Sequence, residues 1–365
     1  MSVRKRTWGN GKTAWIVDYA VHGVRERKHF PNKKAADAFR IAIEGKVAVG
    51  TYRPGKVTVA QACEAFLANC EARNRRDERM TRKMLAVYRG HVGNYIAADP
   101  VGALRLAQFT TRAVAEFRDR LRTAGMSVPT TRKVLATLHS VLEYAIGQDW
   151  CATNAARGVR VIGPRSEGSR KIAPPSKTDL RAVLDTADPL TRLMITFAAS
   201  TGARAGEQWA ARWGDIDFDH CELRISRRVD VYGEEGVPKT AAGVRTVPLS
   251  ATLVAALRAW KLQSRYSKEK DLIFANRRGG HVGHDNLVKR RFTPLFEASG
   301  AQRFSWHGLR HFAVSTWIEA GLAPKTVQTF AGHASLQVTM DRYGHLFPSD
   351  DHKRAMDQIA RDIFN

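Results

Sequence analysis

Two segments that interrupt regular secondary structure divide this chain of 365 residues. Residues 52–56 contain a Pro-Gly pair, and residues 163–177 are rich in Gly, Ser, Pro and basic residues. Proline lacks an amide donor and glycine favours turns, so neither a helix nor a strand continues through such a segment. The length also fits two or three domains of roughly 100–200 residues each. We therefore predict a chain of separate parts, with domains over 1–57 and 58–160, a linker over 161–177 and a larger domain over 178–365.

The chain carries a large excess of positive charge, with a formal net charge of +24 and a pI of about 10.4. Such an excess is typical of proteins that bind a polyanion, and DNA, RNA or an anionic membrane surface fits it equally well. No run of roughly 18 apolar residues exists, and no apolar segment follows the basic start, so neither a membrane span nor a signal peptide is predicted. We expect a cytoplasmic protein with packed cores and no membrane partner.

The four cysteines of the chain form no C-x-x-C pair, which supports neither a zinc ribbon nor a redox motif. Cys63 and Cys70 lie seven residues apart on a predicted helix and can share its buried face. We expect all four cysteines to be reduced thiols that pack as small hydrophobic groups. The other two are Cys151 and Cys221.

The first two domains differ in their hydrophobic patterns. In the first, strands over 14–21 and 24–30 form a hairpin, and Asn32 is placed to cap a helix over 33–47. The second begins with a capping box at Thr58, and its apolar residues recur at helical spacing. Its helices are predicted over 58–74, 77–97, 110–124 and 129–148.

Reactive side chains are concentrated in short segments of the last domain. In the first of these, an apolar helix ends at Gly202, Arg204 follows in the turn, and another helix begins near Gly206. A guanidinium fixed at such a junction is rigid, and its planar fork fits two phosphate oxygens. Glu207 is placed to hold that fork, although a surface salt bridge between the two residues is the alternative interpretation.

The second segment, residues 237–249, is predicted to form a β-hairpin whose turn lies near Ala242 and Gly243. Lys239 precedes this turn. A lysine at this position can protonate a leaving oxygen, and it can equally be a solvated lysine on an edge strand.

The third segment places His307, Arg310 and His311 on one face of a predicted helix, at positions i, i+3 and i+4. Two histidines at i and i+4 also form a zinc-binding pattern. However, Gly308 stands where H-E-x-x-H has its glutamate, and the arginine repels a dication, so no metal site is predicted. The fourth segment pairs Gly332 and His333 with Tyr343 ten residues later.

These residue types match the requirements of one reaction. Attack on a phosphodiester builds negative charge on the non-bridging oxygens, which two arginines can neutralise through preformed donors. A tyrosine nucleophile, with an ordinary pKa near ~10, needs a base or cationic surroundings. The leaving oxygen needs a general acid. Exchange of a phosphodiester for a phosphotyrosine stores the bond energy, so the set needs neither a metal nor ATP.

Six residues, taken in order, resemble the Arg–Lys–His–Arg–His–Tyr set of the tyrosine recombinases of the phage integrase type. They are Arg204, Lys239, His307, Arg310, His333 and Tyr343. The flanking residues are similar too: T-G-x-R-x-G-E, P-K-T-x-x-x-x-R-x-V-P-L, H-x-L-R-H, G-H and T-x-x-x-Y-x-H. Ala331 stands where the family usually has leucine, and Gly308 where an acidic residue is common; neither side chain takes part in the chemistry.

The resemblance implies a role for each reactive residue. Tyr343 is the implied nucleophile, Arg204 and Arg310 bind the scissile phosphate, and Lys239 is the general acid.

The remaining implied roles belong to the two histidines and to the acidic residue. His307 accepts a proton, His333 assists at the phosphate, and Glu207 orients neighbouring groups. No cofactor is implied.

The resemblance also predicts the fold and the partners. The fold is mainly α with small β-sheets (α+β): a three-stranded arm-binding (AP2-like) module, a helical core-binding domain and a mixed catalytic domain containing a β-hairpin. The implied activity is site-specific integration or excision of a mobile element through a 3′-phosphotyrosyl intermediate, on the nucleoid of a bacterial host. The implied partners are double-stranded DNA with attachment sites, a homotetramer that exchanges C-terminal tails on DNA, and DNA-bending and excision proteins.

Two regions are predicted to serve these partners. Residues 1–57 hold thirteen Lys and Arg against four Asp and Glu, a net charge of +9 (13 − 4). On the second strand Arg25 and Arg27 share one face, suited to base edges, and Lys28 lies on the other, suited to a phosphate or to solvent. The C-terminal tail carries an apolar stripe, for docking on a neighbouring protomer or for packing in cis. The stripe consists of Met356, Ile359 and Ile363.

Two other functions fit part of the pattern. A type IB topoisomerase shares the chemistry but relaxes supercoils, and the order of arm module, helical domain and catalytic domain favours the recombinase. A non-catalytic DNA-binding regulator would not need the complete set of reactive residues.

Overall fold

The computed structural model describes residues 1–9, 11–21, 24–48, 57–76, 80–164, 174–238, 240–347, 356 and 360–362. The chain divides into two compact units, residues 1–170 and 171–365. Most of the described structure is helical, with small antiparallel sheets, which confirms the predicted fold class. No helix within the described ranges is long and apolar enough to cross a membrane.

The first unit begins with a three-stranded antiparallel sheet in the order β1-β2-β3, followed by helix α1. The core between them contains Val17, Tyr19, Ala36 and Ile43. Oδ1 of Asn32 accepts a hydrogen bond of 2.8 Å from the amide of Ala35, which confirms the predicted cap. The elements are β1 (Ser2–Thr7), β2 (Thr13–Val21), β3 (Val24–Phe30) and α1 (Lys33–Ala48).

The register of β2 and β3 places Arg27 opposite Asp18 and Lys28 opposite Val17. Since side chains alternate along a strand, Arg27 and Lys28 lie on opposite faces of the sheet. Nε of Arg27 donates to Asp18 at 2.7 Å. Nζ of Lys28 lies 4.8 Å from the ring centroid of Phe39 on α1. The side chain of Arg25 lies outside the described part of the structure.

The rest of the first unit is a helical domain with its own core. Thr58 and Gln61 form the predicted capping box. The helix predicted over 77–97 begins only at Arg82, since Thr81 caps it, and it ends in one π turn over Val92–Ile96. Residues 77–79 lie outside the described residues. The α-helices are α2 (Val59–Arg75), α3 (Arg82–His91), α4 (Thr111–Thr123) and α5 (Val128–Gly147).

The four cysteines all lie within the described residues and form no disulfide there, and three of them are buried in the core of the helical domain: Cys63, Cys70 and Cys151. Cys221 in the second unit is half-buried. Burial raises the pKa of Cys63 to about 12, with a smaller effect from Glu64. These findings confirm the predicted packing role, since a thiol of such high pKa is not reactive at neutral pH.

The second unit has one large core and a smaller one, which contains Tyr343. The helix that ends at Thr201 packs against the helix that begins at Trp306. The strands of this unit form a three-stranded sheet in the order β4-β5-β8 and a two-stranded hairpin of β6 and β7. The helices are α6 (Lys177–Thr186), α7 (Pro189–Thr201), α8 (Ala205–Ala210), α9 (Ala251–Gln263), α10 (His284–Leu287), α11 (Thr293–Ser299), α12 (Trp306–Glu319), α13 (Pro324–Ala331) and α14 (Leu336–Tyr343). The strands are β4 (Ile216–Asp217), β5 (Glu222–Ile225), β6 (Arg228–Val229), β7 (Glu235–Gly236) and β8 (Arg245–Pro248).

The hairpin predicted over residues 237–249 is wrong. After a short 3₁₀ turn at Ala241–Gly243, β8 pairs with β5, where buried Val247 stands opposite buried Leu223. Burial of that apolar pair decides the partner strand, and Pro238 has no amide with which to extend a ladder. Consecutive strands that do pair antiparallel lie earlier in this domain, at β4 with β5 and at β6 with β7.

Candidate active site

The first arginine of the site lies between two helices. Helix α7 ends at Gly202, whose φ of +60° is a left-handed conformation that glycine adopts without strain. Arg204 then takes the N-cap position of α8 in extended conformation. Glycine at the end of one helix and a cap at the start of the next thus fix the backbone of Arg204, as the sequence predicted.

Glu207 holds two arginines in place. Its Oε1 accepts from Nη1 of Arg204 at 2.7 Å, and its Oε2 accepts from the Arg204 amide and from Nη2 of Arg245, both at 2.9 Å. Burial alone would raise the pKa of Glu207, but Arg245 and Arg204 outweigh it and hold the pKa below 4.5. The ion pair of the alternative interpretation is present, but it is only partly at the surface, since the Arg204 side chain is 41% exposed and the Glu207 side chain 2% exposed.

Arg310 connects the ends of two helices. Its Nη1 donates to the carbonyl of Gly202 at 2.6 Å, and its Nη2 donates to the carbonyl of Ala331, the last residue of α13. Helix ends leave carbonyls without partners inside the helix and carry partial negative charge, so they suit a buried guanidinium. Burial, followed by Arg204 and Arg245, lowers the pKa of Arg310 to about 9, so the group stays charged at neutral pH.

His333 follows the glycine that ends α13. Gly332 has a φ of +62°, and a Cβ there would lie 2.9 Å from Nη1 of Arg245. His333 is buried, and its Nδ1 lies 2.9 Å from Oγ1 of Thr339. The carbonyl of Gly332 also accepts from Nη2 of Arg204 at 2.9 Å, so Arg204 holds the turn before His333.

Tyr343, at the end of α14, is 1% exposed. Its ring stacks on His333, with centroids 6.2 Å apart and an angle of 17° between the planes. Its hydroxyl contacts Nδ1 of His311. Burial raises the pKa of Tyr343 more than Arg310 and Arg342 lower it, so the phenol keeps its proton at neutral pH.

Several arginines place positive charge around the buried histidines of the site. Burial, then Arg310, Arg204 and other arginines, lower the pKa of His333 to about 3. Loss of water contact, then Arg310, Arg342 and Arg204, also lower the pKa of His307. The arginine part of these shifts, unlike the part due to burial, reflects positive charge that favours an anion such as a phosphodiester.

The structure brings five of the six residues of the predicted set into one region of the second unit. They are Arg204, His307, Arg310, His333 and Tyr343. The sixth, Lys239, lies outside the described residues. Glu207 lies beside Arg204, as expected, whereas Arg27 and Lys28 belong to the first unit.

Comparison with known protein families agrees with this geometry. Residues 176–350, which hold the whole site, match the model of the phage integrase family. Residues 176–350 therefore form a phage integrase domain. With this domain, the chain is a DNA strand-transferring enzyme of the tyrosine recombinase type.

The integrase is also similar to known recombinases along most of its length. It is 25% identical to the tyrosine recombinase XerC-like protein of Caldanaerobacter subterraneus subsp. tengcongensis, over 74% of this chain and 76% of that protein. It is 24% identical to the ICEBs1 integrase of Bacillus subtilis, over 80% of this chain and 79% of that protein.

Solved integrase structures share the fold. The Tn1549 transposon integrase in complex with transposon right end DNA matches with a TM-score of 0.66 and 17% identity, over 84% of this chain and 99% of that chain. A lambda integrase dimer bound to a COC′ core site matches with a TM-score of 0.60 and 17% identity, over 93% of each chain.

The site of this integrase contains two further residues to which sequence reasoning gave no role. Arg245 ties Glu207 to the carbonyls of Phe330 and Gly243, at 2.7 and 3.0 Å for the two carbonyls. His311 contacts the hydroxyl of Tyr343. Arg245 is the arginine of the P-K-T-x-x-x-x-R motif, and His311 is the last histidine of H-x-L-R-H. Their place inside these motifs was the sequence signal that could have given them a role.

Proposed function

We propose that this integrase cleaves and rejoins DNA at specific sites through a 3′-phosphotyrosyl intermediate, with Tyr343 as the nucleophile. The observation that carries the proposal is the placement of one buried phenol against His333, with the positive charges of Arg310 and Arg342 acting on it. A phenol in such surroundings loses its proton more readily once a phosphate anion and a proton acceptor are present.

Arg204 and Arg310 are proposed to bind the scissile phosphate. Each guanidinium has five N–H donors, and each uses two of its terminal nitrogens for protein contacts. The remaining donors are held rigidly and can stabilise the charge that develops on the non-bridging oxygens. Glu207 fixes the fork of Arg204, and His333 assists at the phosphate. By resemblance to the family, Lys239 remains the predicted general acid and His307 the predicted proton acceptor.

The proposed partners follow from the relatives. Solved neighbours include the Tn1549 transposon integrase with transposon right end DNA and a lambda integrase tetramer bound to a Holliday junction. We propose that this chain binds the attachment sites of a mobile element as double-stranded DNA and acts as a tetramer, with DNA-bending and excision proteins as accessory partners.

Covalent trapping tests the nucleophile. The attachment core is first mapped from the chromosomal junctions of the element that flanks the gene. A suicide substrate, nicked beside the cut site, should then trap a 3′-phosphotyrosyl adduct with the wild type and none with Tyr343→Phe, which should still bind the core. An adduct that persists in the phenylalanine variant would contradict the assignment. Relaxation of supercoils without synapsis would favour a topoisomerase, and the absence of any adduct would favour a non-catalytic regulator.

A further inference from the structure

Tyr343 has a histidine neighbour at its reactive oxygen. Nδ1 of His311 contacts Oη of Tyr343, and the two ring centroids lie 5.7 Å apart. Helix α12 supplies the histidine and the end of α14 supplies the tyrosine. Among the described residues, His311 is the imidazole in hydrogen-bond contact with this hydroxyl.

The protonation states of the two groups determine the direction of this hydrogen bond. Burial raises the pKa of Tyr343 despite Arg310 and Arg342, so the phenol is protonated at neutral pH. Burial, followed by His307, Arg310 and Arg342, lowers the pKa of His311 to about 4, so its ring is neutral. A neutral imidazole with its proton on Nε2 has a lone pair on Nδ1, and the Tyr343 hydroxyl therefore donates to His311.

We propose that His311 is a catalytic residue of strand cleavage, whose Nδ1 takes the phenolic proton as Tyr343 attacks the phosphodiester. The inference rests on the proposed function of Tyr343. In this step Oη forms a bond to phosphorus while its proton moves to Nδ1, and the bond from phosphorus to the 5′ oxygen breaks. The leaving 5′ oxygen takes a proton from a separate general acid, the role predicted for Lys239.

His307 occupies a different position from His311. It lies one turn earlier on α12, and its ring packs edge-on against His311 with centroids 4.6 Å apart. The geometry thus places His311 next to the nucleophile and His307 next to His311. The role that family resemblance gave to His307 fits His311 better, because a general base has to lie within hydrogen-bond reach of the proton it removes.

Binding of the substrate increases the basicity of His311. The positive charges of Arg310 on α12 and Arg342 on α14 lower the pKa of His311 in the free protein, as does its neighbour His307. A bound phosphate anion offsets these charges, so the pKa of His311 rises when DNA enters the site. The free enzyme keeps a protonated, weakly nucleophilic Tyr343, and the substrate itself strengthens the base.

The test is single-turnover cleavage of the nicked suicide substrate by full-length enzyme. We expect His311→Ala to lower the cleavage rate by about 10²-fold or more, because positioned proton transfer contributes about 10²–10⁴-fold. Added imidazole should restore much of this rate, since it can occupy the space of the lost ring. His307→Ala is measured in the same assays for comparison, and we expect imidazole not to restore its rate.

A second substrate separates the base from the general acid. When sulfur replaces the bridging 5′ oxygen, the leaving group departs without protonation. On this substrate the defect of Lys239→Ala should disappear, whereas the defect of His311→Ala should remain. A His311→Ala defect that disappears on the sulfur substrate would overturn the proposal, and so would rescue by imidazole that is confined to His307→Ala.

His311→Asn distinguishes proton transfer from positioning. Asparagine keeps an acceptor atom near the phenol but is not a base, so a wild-type rate in this variant would also overturn the proposal. Core binding and thermal unfolding are measured for each variant. If His311→Ala does not fold, the cleavage rates of His311→Asn on the ordinary and on the sulfur substrate are compared instead. An adduct with Tyr343→Phe would instead refute the proposed nucleophile, independently of His311.

Discussion

Arg245 and Glu207 form a buried ion pair, in which Nη2 of the arginine lies 2.9 Å from Oε2 of the carboxylate. The two side chains are 1% and 2% exposed. The same arginine donates to the carbonyl of Phe330 near the end of α13. The pair therefore connects strand β8, helix α8 and the turn that carries His333.

Loss of Arg245 should destabilise the second unit. We expect Arg245→Met to lower the free energy of unfolding by about 3–5 kcal/mol, because it leaves a buried carboxylate with one partner fewer. Urea denaturation monitored by near-ultraviolet circular dichroism measures the change. Arg258→Met is the matched control, since the Arg258–Asp219 pair is exposed and 4.0 Å long, and it should cost less than about 1 kcal/mol. Equal effects of the two substitutions would contradict the role given to Arg245.

The stabilisation from Glu207 should depend on pH. Its pKa in the folded protein is lower than the ordinary value of 4.5, so the ionised carboxylate stabilises the fold above pH 4.5, and this contribution disappears as the pH falls through the lowered pKa. Glu207→Gln imitates the protonated group. We expect it to destabilise the protein at pH 7 and to differ progressively less from the wild type below pH 4.5. Unfolding curves at several pH values measure this, and a constant difference down to pH 3 would show that charge is not the cause.

Loss of Arg204 or Arg310, the two arginines proposed to bind the scissile phosphate, should lower the cleavage rate more than the affinity for DNA. Arg204→Ala and Arg310→Ala should each slow single-turnover cleavage by about 10²–10³-fold, the usual effect of losing a preorganised donor to a developing charge. Arg310→Lys keeps the charge but lacks the fork that reaches Gly202 and Ala331, so it should be defective too. Affinity for the core is measured in parallel, and equal losses in affinity and rate would make these residues phosphate anchors only.

The N-terminal module should provide a second DNA contact. Deletion of residues 1–57 should spare cleavage of a minimal core site, impair recombination of full attachment sites and shorten the footprint on flanking DNA. Arg25→Ala and Arg27→Ala should relax sequence preference at the arm site, whereas Lys28→Ala should weaken binding evenly across sequences. An unchanged footprint after deletion would leave the basic face without a role in DNA binding.

The C-terminal tail should act in assembly. Exposed Met356 lies in this tail, whereas Ile359 and Ile363 of the predicted stripe lie outside the described residues. Deletion of residues 350–365 should reduce synapsis of paired sites and leave binding to a single site unchanged. Gel-shift assays with one and two sites measure both, and normal tetramer assembly would indicate packing in cis.

The helices of the first unit and the end of α7 were predictable because their signals are local. The capping box of Thr58 and Gln61, the cap at Asn32 and the left-handed glycine after α7 each act within one turn of the chain. The strand partner of β8 was not predictable in this way, because residues 237–249 also satisfy the local pattern of a hairpin. Only the burial of Val247 against Leu223 distinguishes the two pairings.

For the site, the sequence by itself determined which residue types are present and in what order, since the reactive set and its flanking motifs lie in short segments. The tertiary structure decided the contacts among them. Arg245 reaches Glu207 from 38 residues away, and His311 meets Tyr343 across 32 residues. Such contacts depend on how α8, β8, α12 and α14 pack, and periodicity along a single element carries no information about packing between elements. Motif order therefore indicated a phosphodiester chemistry, whereas the packing of the helices decided which histidine contacts the tyrosine.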